Sequence, residues 1–147
     1  MIAPSDIAAI TLRWNGRSQS LHTEGPDAAY VLRRVMDLSM HQPYLLGAMR
    51  ALRGRTAFAP EDVQFRYAVA AVMDVEEEPW QGVEISTERE VEYVPELVFE
   101  RLMVAGARLV LKESPWEGRR GLDATTRAEV ERLIQEVEAR GGANEHG

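Results

Sequence analysis

A chain of 147 residues with 24 acidic against 17 basic side chains carries a formal charge of −7, which excludes a nonspecific grip on nucleic-acid phosphates through overall charge. It contains no cysteine, so disulfides, thiol catalysis and thiolate-bound zinc are excluded as well. No run approaches the roughly 18 apolar residues of a membrane span, and the opening Met1–Asp6 lacks the basic and apolar regions of a signal peptide, so the expected setting is cytoplasmic with no membrane partner.

In chain order, Ile7 to Trp14 and Arg17 to Thr23 flank Asn15-Gly16, the pair preferred by a two-residue type I′ turn, and predict a first hairpin over about 7–23. Gly25-Pro26-Asp27 then opens a helix over about 27–41. Its Ala28, Val31, Leu32, Val35 and Leu38 follow the i, i+3, i+4, i+7 spacing of an amphipathic stripe. A second helix, 43–53, begins at Pro43 and stops at Gly54.

The stretch from Val63 to Val94 is the organising one. Val83, Ile85, Thr87, Arg89, Val91 and Tyr93 alternate with Glu84, Ser86, Glu88, Glu90 and Glu92, as in one long strand with a wet, acidic face. Upstream, Val63, Phe65, Tyr67, Val69, Ala71, Met73 and Val75 form a second odd-numbered apolar set, followed by the turn-forming run Glu76 to Gly82. Together they predict a long hairpin over about 63–94 with Val75 opposite Val83, Tyr67 opposite Val91 and Phe65 opposite Tyr93. The competing reading starts a helix at Pro60-Glu61-Asp62 and carries it to about Met73.

Pro95 opens a third helix, 95–113, whose apolar face combines Val98, Leu102, Ala105 and Leu109 with Phe99, Met103, Gly106 and Val110. The alternative ends that helix at Gly106 and makes 108–111 a strand. Asp123 caps a last helix, 123–140, closed by Gly141-Gly142. The sum is an α+β fold in two layers, an antiparallel sheet of two hairpins with about four helices over one face. It forms a single domain, 1–142, with a flexible tail, 143–147.

Several residues stand out as site candidates. Glu78-Pro79-Trp80-Gln81-Gly82 and Ser114-Pro115-Trp116-Glu117-Gly118 share Pro-Trp-x-Gly and place two large aromatic rings in loops. A helix over 95–113 climbs about 28 Å at 1.5 Å per residue and would bring Trp116 back toward Trp80. With Ala70, Val72 and Glu88 on the outer strand face, these two rings are the candidate partner-binding residues. Arg89, expected on the buried face with Tyr67 and Tyr93, is the candidate for a carboxylate or phosphate ligand. Arg50, Arg53 and Arg55 form a local basic patch, and Arg119 and Arg120 form a second, smaller cluster of positive charge. Asp74, Glu76, Glu77 and Glu78 read as a charged turn, because they lack the spacing and central glycine of a calcium loop. No catalytic motif, cofactor-binding loop or metal-ligand spacing is present in the sequence.

The leading functional expectation is a noncatalytic interaction protein, an adaptor, chaperone-like partner, inhibitor or assembly subunit, binding another protein or another copy of itself. The alternative is a protein or enzyme acting on a small anionic ligand at Arg89. A third reading is nucleic-acid binding through Arg50 to Arg55.

Overall fold

The structure is a computed structural model and describes residues 1–68, 80–115 and 122–146, with side chains as far as residue 141. The order of elements is α1 (Pro4–Ala8), β1 (Thr11–Asn15), β2 (Ser20–Glu24), a 3₁₀ turn (Asp27–Ala29), α2 (Tyr30–Ser39), α3 (Gln42–Gly54), β3 (Ala57–Phe58), β4 (Gln64–Tyr67), β5 (Val83–Ser86), β6 (Val91–Val94), α4 (Glu96–Glu113) and α5 (Ala124–His146). The class is α+β. The strands divide into a two-stranded sheet, β1-β2, and a four-stranded antiparallel sheet in the order β3-β4-β5-β6.

The first hairpin forms with Asn15 opposite Ser20, so its loop has four residues, and no positive φ occurs at Gly16. The type I′ expectation is corrected by Asn15 itself. Its side-chain oxygen accepts the N–H of Arg17 at 3.0 Å and of Ser18 at 3.3 Å, and Gln19 takes the left-handed conformation at φ 55°. The predicted first strand also starts too early, because Pro4 fits the first turn of a helix and α1 occupies Pro4–Ala8.

The long hairpin is corrected more deeply. β4 ends at Tyr67, and Ala68 is already in helical geometry, which agrees with alanine's weak strand preference. Residues 69–79 lie outside the described residues, but the expected pairing of Val75 with Val83 is overturned, because Val83 already has Tyr67 on one side and Val94 on the other. Tyr67 pairs with Val83 and Phe65 with Ile85, rather than with Val91 and Tyr93. The run 83–94 is itself a hairpin: Thr87 accepts the N–H of Arg89 at 3.3 Å and of Glu90 at 3.2 Å on its hydroxyl, and Thr87 N–H closes the turn on the Glu90 carbonyl at 2.9 Å. A side-chain hydroxyl therefore ends a strand that hydrophobic alternation alone would have continued.

The helices follow their patterns closely. Asp123 caps α5 by accepting the Thr126 N–H at 2.7 Å, and that bond holds its carboxyl below the usual range. α5 passes through Gly141-Gly142 to His146 instead of ending there. Arg55, not Gly54, takes the left-handed position that closes α3, at φ 52°. α4 runs unbroken through Gly106. A Cβ at that position would lie 3.2 Å from Met40 and 3.4 Å from Leu21, so the missing side chain lets α4 press onto the first hairpin. The buried face of α4 is Phe99, Met103, Gly106, Ala107 and Val110, rotated slightly from the expected one, with Val98, Leu102 and Leu109 only partly covered.

α2 lies between the two sheets, against β2 on one side and β5 and β6 on the other, while α5 packs on α3 and α4. One contiguous core runs from Ile2 to Val137. At its centre Phe65 meets Phe99 at 5.1 Å between ring centroids and Phe58 at 6.0 Å; burying each such ring is worth about 1.5–3 kcal/mol. Two arginines of α5 finish helices that precede it in the chain. Arg127, 4% exposed, donates to the carbonyls of Leu111, Ser114, Pro115 and Leu122, closing α4 and the neck of the next loop. Arg140 donates to the Leu52 carbonyl at 2.6 Å and to that of Arg53, which closes α3. Among the described residues, no helix is long and apolar enough to cross a membrane.

Candidate functional site

Strand alternation sorts the four-stranded sheet into two faces. Phe65, Tyr67, Val83, Ile85 and Val94 point into the core, and Arg66, Glu84, Ser86, Val91 and Tyr93 point away from it. Glu84 stands opposite Arg66 on one side and Tyr93 on the other. Its two oxygens are divided between them: Oε1 accepts Arg66 Nε at 2.9 Å and Oε2 accepts the Tyr93 hydroxyl at 3.3 Å. Trp80, just ahead of β5, lays its ring 4.7 Å from the Arg66 guanidinium carbon and 6.3 Å from the Tyr93 ring.

These four residues form a preorganised surface cluster. The Arg66 and Glu84 side chains are 24% and 14% exposed, so their charge-assisted bond is partly shielded from water. Cation–π contact with the indole adds about 0.5–2 kcal/mol. The Trp80 Nε1–H is buried and has no acceptor among the described residues. The cluster thus combines aromatic area with a fixed charge pair.

Behind the sheet a second polar cluster serves the fold. Tyr67 is fully buried, and burial first, then the nearby Glu100 carboxylate, drives its hydroxyl well above the ordinary phenol range. That hydroxyl has no hydrogen-bond partner among the described residues. Glu100, 5% exposed, is neutralised by Arg140 at 3.0 Å. A groove of about 350 Å³ runs past Glu100 between α4 and α5, with Leu97, Val104 and Val137 along it and the Arg108–Glu138 ion pair at its rim.

The expected site residues fall into three groups. Trp80 and Tyr93 come together. Tyr67 faces the core while Tyr93 faces outward, so the two tyrosines do not share a site. Arg89 and Glu88 are exposed in the turn between β5 and β6, and the buried pocket expected around Arg89 does not form there. Arg89 is exposed because β5 ends at Ser86, and the two tyrosines part because of parity. Val83 pairs with Val94 and Glu84 with Tyr93, so odd-numbered residues of β5 share a face with even-numbered residues of β6. Ala70, Val72, Trp116, Arg119, Arg120, Asp74 and Glu76 to Glu78 lie outside the described residues, and with them the expected meeting of Trp80 and Trp116.

Arg50, Arg53 and Arg55 each face a carboxylate: Glu129 at 2.8 Å, Glu136 at 3.0 Å and Glu96 at 3.9 Å. Arg66 and Glu84 were missed at the sequence level. Their opposite charges were visible, but the slipped register kept them from being seen as cross-strand partners. The i, i+4 spacing of Arg127 and Glu131 points to an exposed ion pair on α5, but Arg127 is buried and its acceptors are main-chain carbonyls of four other residues. Comparison with known proteins gives no relative for the chain, since no family model, no curated protein and no solved structure matches it.

Proposed function

We propose that the chain is a noncatalytic interaction protein, an adaptor or assembly subunit that docks a protein partner on the outer side of its four-stranded sheet. The observation that carries this reading is the Arg66–Trp80–Glu84–Tyr93 cluster. Tryptophan, tyrosine and arginine are the side chains most enriched where binding energy concentrates, and here their conformations are set before any partner arrives. The pairing of Arg50, Arg53 and Arg55 with carboxylates supports a protein partner over nucleic acid, which would have to displace those carboxylates. Exposure of Arg89 in a turn likewise supports it over a small anionic ligand.

The test is co-expression with the products of neighbouring genes, followed by size-exclusion chromatography with light scattering. A defined complex, or a homo-oligomer, that weakens at least about tenfold on Trp80→Ala is the expected result. A monomer that takes up none of these proteins, or a complex indifferent to both Trp80→Ala and Tyr93→Ala, overturns the assignment.

A further inference from the structure

We infer that β6 is a docking edge for an extended, basic segment of a partner protein, which adds to the four-stranded sheet as a fifth strand. This rests on reading the chain as an interaction protein, and it names the chemistry of the partner.

Among the described residues β6 is the end strand of its sheet. The bond from Thr87 N–H to the Glu90 carbonyl sets the phase of the β5–β6 ladder, so Glu92 and Val94 exchange hydrogen bonds with β5 while Val91 and Tyr93 turn their main-chain groups outward. The Ile2 N–H reaches the Tyr93 carbonyl from outside at 3.4 Å, in keeping with that phase, and covers that end of the strand. Val91 keeps its outward N–H and C=O without a partner among the described residues, and the residue is 53% exposed. An open edge of this kind is a template for an incoming extended chain.

Charge decides which chain. Glu88 and Glu90 are exposed beside the edge and Glu92 is half-buried within it, against Arg89 and the chain's own amino group, which lies 3.8 Å from Glu92. A second copy pairing antiparallel about Glu90, Val91 or Glu92 would in every case set glutamate against glutamate, and like charges directly opposite destabilise a ladder. A strand with arginine or lysine at alternate positions meets Glu90 and Glu92 on one face and supplies main-chain bonds to Val91.

The test uses the full chain and a short fluorescent peptide alternating arginine with valine, followed by anisotropy at low and at physiological ionic strength. Two further peptides carry N-methyl groups on the odd or on the even residues, and a fourth replaces arginine by glutamate. Saturable binding of the first peptide is expected, at least about tenfold weaker for one of the two N-methylated forms, with a preference that moves toward the acidic peptide in the double variant Glu88→Lys/Glu90→Lys. Equal binding of both N-methylated peptides and the parent peptide would show charge attraction without strand addition and overturn the inference, as would no binding at all. If the peptide fails while a Trp80-dependent complex persists, the β6 assignment falls and the interaction reading stands. Loss of the Trp80-dependent complex with peptide binding intact separates the two in the other direction.

Discussion

The two tight hairpins, β1–β2 and β5–β6, are closed by the same chemistry and were unequally visible. In each, a residue at the end of the first strand or just past it turns a side-chain oxygen onto the N–H groups two and three positions ahead: Asn15 onto Arg17 and Ser18, Thr87 onto Arg89 and Glu90. Asn15 is followed by glycine and announces a turn. Thr87 sits in an unbroken alternation of apolar and acidic residues and passes for strand. Period-two alternation reports that residues are extended, and it keeps counting through a turn that happens to preserve it.

The hairpins differ most in how much room surrounds their glycines. Gly82 leads into β5 at φ 83°, and a Cβ there would overlap the Val94 carbonyl oxygen and press on Pro95. Around Gly16 a Cβ meets nothing within 4 Å. Gly82→Ala is therefore expected to cost about 3 kcal/mol in urea unfolding, from backbone strain plus the clash, whereas Gly16→Ala should stay within about 0.5 kcal/mol. Equal costs would mean that Val94 and Pro95 move aside freely and that the entry to the larger sheet is not constrained.

Removing the turn oxygens should give a smaller and more even result. Thr87→Val keeps shape and strand preference but deletes the acceptor, and Asn15→Ala deletes the other; each is expected to cost about 0.5–1.5 kcal/mol. Because the freed N–H groups sit at the surface, water recovers part of each loss. Thr87→Val without a measurable change in the unfolding midpoint would show that the β5–β6 turn holds without its hydroxyl. The turn would then owe its position to Glu84 and its partners Arg66 and Tyr93.

Helices were legible because their signals are local. The stripe of Val31, Leu32 and Val35, the Pro43 start and the Asp123 cap each lie within a few residues of the element they specify, and each appears in the structure. Strand pairing is a relation between distant residues. Phe65, Tyr67, Val83 and Ile85 were recognised as an apolar set, yet their partners depended on where the chain turned. The candidate site inherited that difficulty. Trp80 and Tyr93 were found by residue type, Arg66 and Glu84 only by register, and Arg89 moved from the interior to a turn because β5 ends at Ser86.

The smallest expected effect concerns how the first hairpin is tied to α2, a hydrogen-bonded link with no counterpart in the second among the described residues. Thr23, 1% exposed, gives its N–H to Asp37 Oδ1 at 2.8 Å and its hydroxyl to the Arg33 carbonyl at 3.3 Å. Burial raises the Asp37 carboxyl above its ordinary range more than the Thr23 bonds and the His22 and Arg33 charges lower it. A carboxyl with a raised folded-state pKa favours folding most when protonated. That contribution is fully present below the unfolded pKa of about 3.9 and is lost as pH rises through the folded value, so at neutral pH the charged group is a net cost. Asp37→Asn keeps an oxygen for the Thr23 N–H and removes the charge. It should leave stability near pH 7 unchanged or slightly higher, and it should alter the slope of stability against pH just above the unfolded pKa. Asp123, with its lowered carboxyl, contributes the opposite slope in both proteins, so the difference between the two curves isolates Asp37. Parallel curves for parent and variant would mean that Asp37 is as well hydrated folded as unfolded, and that the tie between β2 and α2 is an ordinary surface bond.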